Sequence, residues 1–481
     1  MNIGSIQRQS LITLFSTIAL TGIGFISTIY FAHILGPAPL GAYFLFLAYL
    51  GIFNLIGDGG FGGAAVKRIS EGKDQNEYLS AFVFIRVTLL AVSVTLLLFA
   101  EQYLKDITSS GVFFWLILAL ILSVFSGSIG LGVYATGKVG VHQISNLIDA
   151  FFRTIFQITA VFLGFGIAGL AGGFIGGLIA GSVANFRYVD LKFAWFKISH
   201  LKNLFGFSFW IFLTSTGSLV FCYADTILIG YFMNNADVGI YRTAFQLTSV
   251  ATFTTLAFQT VLYPKISRWE TQGQFQEIEN SLARAFTYSL FLAVPTCIGG
   301  WILGNKLLYY LYGASFVDGA PALVFLLLVQ VVNVFMYLGT MSLNALNQPK
   351  KAFNITLIAA CTNILLDIVL IPIMGITGAA VATLIAMILN AAGALILLRR
   401  IISLKLEYEP IKNILYSSGF MGIFLLVMHF LYPLTHVITL IIVVIAGAIV
   451  YFYVLLKIDR KIHDEIRELS VNLGVPWPRW L

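Results

Sequence analysis

"CYADTILIGYF", residues 222–232, sets one carboxylate, Asp225, in a run from Leu204 to Met233 that carries no other formal charge. About 20 apolar residues of helix are enough to cross a hydrocarbon layer of about 30 Å. If this run lies in lipid, its acid is expensive: a charge at mid-span costs roughly 2.5–3.5 kcal/mol on insertion scales and usually faces a partner or a wet cavity. The chain as a whole supports the lipid reading. Of its 481 residues 59% are hydrophobic and only 10% charged, with a mean hydropathy of +0.92. A soluble domain carries about 25% charged residues, so the sequence describes an all-α, polytopic membrane protein.

Apolar stretches follow one another from Leu11 to Leu456 and predict fourteen spans. They fall at 11–34, 40–65, 79–100, 111–136, 143–164, 167–189, 204–231, 237–263, 282–303, 320–344, 352–372, 376–398, 413–432 and 436–456. The first is too long for a signal-peptide core and lacks a small-residue cleavage site, so it reads as a retained helix. Lys and Arg concentrate on the cytoplasmic side of a membrane protein. One alternate set of connecting segments holds 23 of the 28; the other holds Lys105 and Lys306, and Arg86, Arg153 and Arg242 fall inside spans. Both termini are therefore expected in the cytoplasm, and the formal charge of +7 follows from topology without a nucleic-acid partner.

The chain repeats itself. "LGPAPLGAY" (35–43) matches "MNNADVGIY" (233–241), with Ala38, Gly41 and Tyr43 falling on Ala236, Gly239 and Tyr241 at an offset of 198, and the same offset carries Arg86 to Arg284. "GIAGLA" (166–171) matches "GITGAA" (375–380) at an offset of 209. Six spans per copy keep one orientation, which is the parallel kind of transporter repeat. The expected organisation is an N-lobe at 1–200, a C-lobe at 201–400, two added helices at 401–456 and a cytoplasmic amphipathic tail at 457–481.

Several segments, in this order, resemble polysaccharide-type flippases of the multidrug, oligosaccharidyl-lipid and polysaccharide exporter superfamily. They are "LGPAPLGAY" (35–43), "GDGGFGGAAVKRIS" (57–70), "YADTILIGYFMNNADVGIYRTAF" (223–245), "LYGASFVDGAPAL" (311–323) and "NQPKKAFNITLIAACTNILLDIVLIPIMGITGAAVATLIA" (347–386). The resemblance covers almost the whole chain. It implies two six-helix lobes around a central cavity, alternating access, and a polyprenyl-linked glycan precursor moved from the cytoplasmic to the outer leaflet of the plasma membrane. It further implies a monomer that meets membrane lipid, works beside glycan-assembly proteins and couples to Na+ or H+. A cation-coupled multidrug or small-solute antiporter of the same fold is the alternative. An integral-membrane glycosyltransferase or polymerase is disfavoured because the expected outer loops are short, the longest at 303–319.

Charges inside spans are the candidate site residues. Asp225 and Arg242 lie equally far from the centre of the turn between spans seven and eight, so antiparallel helices would set them at equal depth near the outer face, as a helix-joining pair or as a gate. Asp58 and Arg86 are equidistant from Gly72 in the same way, toward the cytoplasm. Asp149 and Arg153 are i and i+4 on one helical face. Arg284 sits at the cytoplasmic edge. Asp367 has no sequence-local cation and Asn363 lies one turn before it, which makes the two a candidate coupling-ion site beside the plainer reading of an interhelical Asp. Four acids inside spans, Asp58, Asp149, Asp225 and Asp367, stand against three bases, Arg86, Arg153 and Arg242, so the strongly cationic cavity that a diphosphate cargo calls for is not evident. No catalytic residue, cofactor motif or metal-ligand spacing is found; Cys222, Cys297 and Cys361 and the six histidines are scattered.

Three further features concern packing. Gly169, Gly173, Gly177 and Gly181 recur every fourth residue and form a smooth face for close helix approach. Pro295 interrupts the ninth span's hydrogen bonding. Ile458, Ile462, Ile466, Leu469 and Leu473 share one face of a tail helix, followed by Trp477 and Trp480, a pattern suited to the membrane surface.

Overall fold

In a computed structural model, residues 5–404, 406–432 and 434–472 are described, except for the side chains of 5–15, 105, 106, 207, 210, 211, 213–220 and a few near the C-terminus. Among them there is no strand. The chain forms two compact units, Met1–Arg242 and Thr243–Leu481.

The first unit contains α1 (Ser5–Leu35), α2 (Pro37–Asp58), α3 (Phe61–Ser70), α4 (Gln75–Ala100), α5 (Lys105–Ser109), α6 (Phe113–Ala135), α7 (Val139–Phe162), α8 (Gly166–Phe186), α9 (Ile198–Phe232) and the start of α10 (Asn235–Thr248). The predicted second span does not run on to residue 65. It stops at Asp58 because Gly59 and Gly60 both take positive φ, 55° and 77°, a conformation that glycine adopts freely and other residues rarely do. Gly60 also lets α9 pass close: a Cβ there would lie 2.3 Å from the Ser208 carbonyl oxygen. Asp58, at the end of α2, then accepts a hydrogen bond from the Gly62 amide at 3.2 Å.

The glycine face of α8 packs along α7. Each of its four members meets the next turn: Gly169 lies against Ala160, Gly173 against Gln157, Gly177 against Arg153 and Asp149, and Gly181 against Asp149 and Ser145. Without Cβ atoms, the α7 backbone approaches within contact of α8, and that sets where Asp149 and Arg153 point. A separate cluster, Phe61, Ile69, Tyr78, Phe82 and Leu204, joins α3, α4 and α9.

The second unit holds the rest of α10, then α11 (Phe253–Thr271), α12 (Phe275–Tyr312), α13 (Ala320–Ala345), α14 (Pro349–Met374), α15 (Ile376–Arg399), α16 (Tyr408–Leu431), α17 (Val437–Ile458) and α18 (Arg460–Asn472). The predicted eighth span is interrupted by a 3₁₀ turn, Ser249–Thr252. Thr248, Ser249 and Thr252 each bond the carbonyl three residues back, at 2.8, 2.7 and 2.9 Å, and such back-bonding by hydroxyls competes with regular helix. α12 continues through Pro295. Around it gather Leu282, Phe286, Leu290, Leu338, Leu425, Tyr451 and Leu455, so α16 and α17 pack onto this core.

The tail helix is docked as well as amphipathic. Ile462 is buried in the same core, Asp459 caps α18 by accepting from Ile462 N at 3.0 Å, and Asn413 donates to Asp459 at 3.0 Å. The side chains of Ile466 and Leu469, and all of Leu473, Trp477 and Trp480, lie outside the described residues.

Among the described residues, eleven helices are long and apolar enough to cross a membrane. The other three expected spans correspond to α7, to α9 with its apolar stretch Phe221–Phe232, and to the broken α10 and α11. α7 falls short on hydropathy for a physical reason: His142, Asn146, Asp149, Arg153 and Gln157 form a polar stripe at helical spacing.

A charge-balanced polar cavity as candidate functional site

The first unit bears an open cavity of about 460 Å³, lined from α2, α4, α6, α7 and α8. Three of the predicted charges meet on its wall: Asp58, Arg86 and Asp149. Arg86 is only 6% exposed. Its Nε stands 3.9 Å from Asp58 Oδ1, and its Nη2 donates to Asn54 Oδ1 at 3.2 Å. The guanidinium fits because α6 is cut back opposite it: a Cβ on Gly127 would lie 2.5 Å from Arg86 Nη1.

Asp149 and Arg153 form the pair their spacing predicts. Arg153 Nη2 donates to both carboxylate oxygens, at 2.8 and 2.9 Å, and Nε adds a third bond at 3.2 Å. Bidentate, charge-assisted geometry of this kind is among the stronger side-chain contacts. The guanidinium also lies 4.7 Å from the centre of the Phe174 ring, a cation–π distance. Arg153 is thus held by Asp149, and each of the cavity's two acids faces one arginine, Asp58 facing Arg86 and Asp149 facing Arg153.

Across the α9–α10 turn, Asp225 meets the residue beside its expected partner Arg242. The Tyr241 hydroxyl donates to Asp225 Oδ2, and both residues are buried. Arg242 donates to the Cys222 carbonyl at 3.3 Å and lies over the Phe44 ring. In the second unit Asn363 and Asp367 are buried on α14, 1% and 0% exposed, on a helix that packs along α15. Arg284 is exposed on α12. Among the described residues no three His, Cys, Asp or Glu side chains gather as a metal site.

Sequence reasoning passed over the uncharged half of the cavity. Asn54, Ser123, Ser126, His142, Asn146 and Asn185 all line it. The signal available was the polar stripe on α7, which no soluble face explains in a chain this apolar.

Helices that turn a polar stripe toward a shared cavity, with paired acids and bases and apolar outer surfaces, define a multi-pass membrane transporter. The chain belongs to the family described as polysaccharide biosynthesis protein, whose model matches residues 30–321. It is 28% identical over 474 residues, 97% of this chain and 98% of the relative, to a protein of Haloferax volcanii named probable low-salt glycan biosynthesis flippase Agl15. It is 26% identical over 484 residues, 98% of this chain and 99% of the relative, to the same organism's probable flippase AglR. Its fold is similar to a solved lipid II flippase MurJ in an inward closed conformation, with a TM-score of 0.79 at 18% identity, covering 92% of this chain and 98% of that one.

Proposed function

We propose that this protein is a flippase that carries a polyprenyl-linked oligosaccharide or polysaccharide precursor from the cytoplasmic to the outer leaflet by alternating access. The observation that carries the reading is end-to-end similarity to a probable glycan biosynthesis flippase and to a second probable flippase, together with family membership. A polar cavity inside an apolar helical unit supports it, because a glycan headgroup cannot cross hydrocarbon unless its hydrogen bonds are met. On this reading the chain sits in the plasma membrane with both termini in the cytoplasm. The segments 1–200 and 201–400 act as its two moving lobes, and 401–456 are added helices.

Each site residue then has a role. Asp149 and Arg153 hold the cavity wall, Arg86 with Asp58 offers hydrogen bonds to cargo, and Arg284 meets the headgroup at the cytoplasmic edge. Asp225, Tyr241 and Arg242 belong to the outer gate. Asp367 with Asn363 binds the coupling ion, Na+ or H+. The protein works as a monomer beside the glycan-assembly proteins that load its cargo. Deleting the gene should leave lipid-linked glycan complete but facing the cytoplasm, as read by protection from an impermeant lectin or glycosidase. Normal arrival of that intermediate at the outer leaflet would refute the assignment.

A further inference from the structure

Between α8 and α9, residues 189–197 form neither helix nor turn and are laced to α4 instead. The amides of Lys192 and Ala194 donate to Asn76 Oδ1 and Ser80 Oγ, each at 2.9 Å. The two acceptors are one helical turn apart, about 6 Å, which matches the about 6.6 Å between alternate residues of an extended chain. The ends are fixed too: Lys138 donates to the Tyr188 carbonyl and pairs with Asp190, and the Lys197 amide donates to His200 Nδ1 at 2.9 Å. Successive residues of an extended chain face opposite ways. Phe196 packs against the cluster of α3, α4 and α9, its ring 5.6 Å from that of Phe84, so Phe193 and Trp195 on the other side are left 74% and 92% exposed. The exposed apolar face of α4 begins just beyond, at Phe84 and Val87, which sets the segment where a span enters lipid.

We propose that this segment is a docking site for anionic lipid: Phe193 and Trp195 enter the boundary between headgroups and acyl chains, and the cations beside them hold headgroup phosphates. The charge pattern selects that partner. Asp190 is the only acid between residues 187 and 202, and Lys138 neutralises it. Arg187, Lys192, Lys197 and Lys202 are exposed and make no ion pair among the described residues. A row of cations in that setting is complemented by an anionic headgroup layer, and large aromatic rings favour the same depth. With both termini in the cytoplasm, as proposed above, the connection between the sixth and seventh spans lies at the cytoplasmic leaflet, where the surface is anionic. The rigid lacing to α4 matters energetically: the rings are presented by a chain that is already ordered, so binding lipid costs little further backbone entropy.

The test follows Trp195 fluorescence, taken as the difference between wild type and Trp195→Phe, in full-length protein reconstituted into phosphatidylcholine vesicles. A small share of the lipid carries bromine on its acyl chains as a quencher, either on anionic phosphatidylglycerol or on neutral phosphatidylcholine. At equal content the brominated phosphatidylglycerol should quench at least roughly threefold more strongly, because cations near the surface enrich anionic lipid around them. Salt at 1 M should weaken that preference, since the screening length falls from about 10 Å at 0.1 M to about 3 Å. In the triple variant Lys192→Gln, Lys197→Gln, Lys202→Gln the preference should fall toward unity, while quenching of the other tryptophans stays as in wild type and shows that the variant is folded. Equal quenching by the two lipids in wild type, or a preference that survives in the triple variant, overturns the inference. So does a difference signal reached by aqueous acrylamide and by neither lipid, which would put the segment in water. A signal shielded from all three quenchers would mean that protein, a second copy or another chain, covers the segment, and overturns it as well.

Discussion

Gly41 and Gly239 occupy each other's space. A Cβ on Gly41 would lie 1.7 Å from the Asn235 carbonyl oxygen and 2.6 Å from Gly239 N, while a Cβ on Gly239 would lie 2.2 Å from the Pro37 carbonyl oxygen and 3.1 Å from Gly41 N. The same offset of 198 that pairs the two glycines also pairs Pro37 with Asn235. Each helix start therefore meets its counterpart through the same atoms, which is the reciprocity of a local two-fold axis. The two turns that open α2 and α10 touch backbone to backbone because neither has a side chain at the crossing.

Gly41→Ala and Gly239→Ala should each destabilise the protein by about 1–3 kcal/mol, the usual range for overpacking, since the obstructing atoms are backbone. Gly22→Ala, where nothing stands within 4 Å, should be neutral or slightly stabilising because alanine favours helix. Thermal unfolding of the three variants in one detergent compares them directly. Equal melting temperatures would show that the crossing is loose.

Asp149→Ala should strand the Arg153 guanidinium, and Arg153→Ala should strand the acid. Removing one partner of a desolvated pair costs on the order of 3–5 kcal/mol, and less where water enters; here the side chains are 17% and 29% exposed. The double change to Ala should be less harmful than the sum of the two single ones. A double-mutant cycle on stability measures the coupling, and strict additivity would deny it.

Tyr241→Phe removes only the hydroxyl that donates to Asp225. Hydrogen bonds to charged groups contribute about 1.5–3 kcal/mol, so a loss of that size is expected in unfolding experiments, partly relieved in the Asp225→Asn background. A silent Tyr241→Phe would return the hairpin to Arg242 alone. Exchanging the charges, Asp225→Arg with Arg242→Asp, should then recover more stability than transport.

Asp367→Asn should abolish the dependence of glycan translocation on the coupling ion while leaving the protein folded, because an amide keeps the shape and loses the charge. Translocation in vesicles under imposed Na+ or H+ gradients provides the measurement. Unaltered ion dependence in the variant would exclude this acid.

In a protein stripped of its three native cysteines, a cysteine at Asn234 should react with an impermeant maleimide applied to intact cells, and one at Lys73 should react only after permeabilisation. Both positions are exposed. The opposite pattern would invert the assigned orientation.

The sequence by itself determined that this chain is a helical membrane protein, roughly where its spans lie, and that Asp149 pairs with Arg153. Those properties are local: hydropathy accumulates along one helix, and residues four apart share a face whatever surrounds them. The break at Gly59–Gly60 was also written locally, but two adjacent glycines do not declare whether they turn the chain or merely pack. Tertiary structure alone decided that Asp58, Arg86 and Asp149 share one cavity with Asn54, His142 and Asn185. Five helices contribute to that wall, and which face each one presents depends on rotations set by packing, above all by the glycine face of α8 against α7. The hairpin shows the same limit in miniature. Counting residues from the turn pointed from Asp225 to Arg242 and did not show that the Tyr241 hydroxyl also reaches the carboxylate, because a helix advances about 100° per residue and that contact depends on how α10 is rotated against α9.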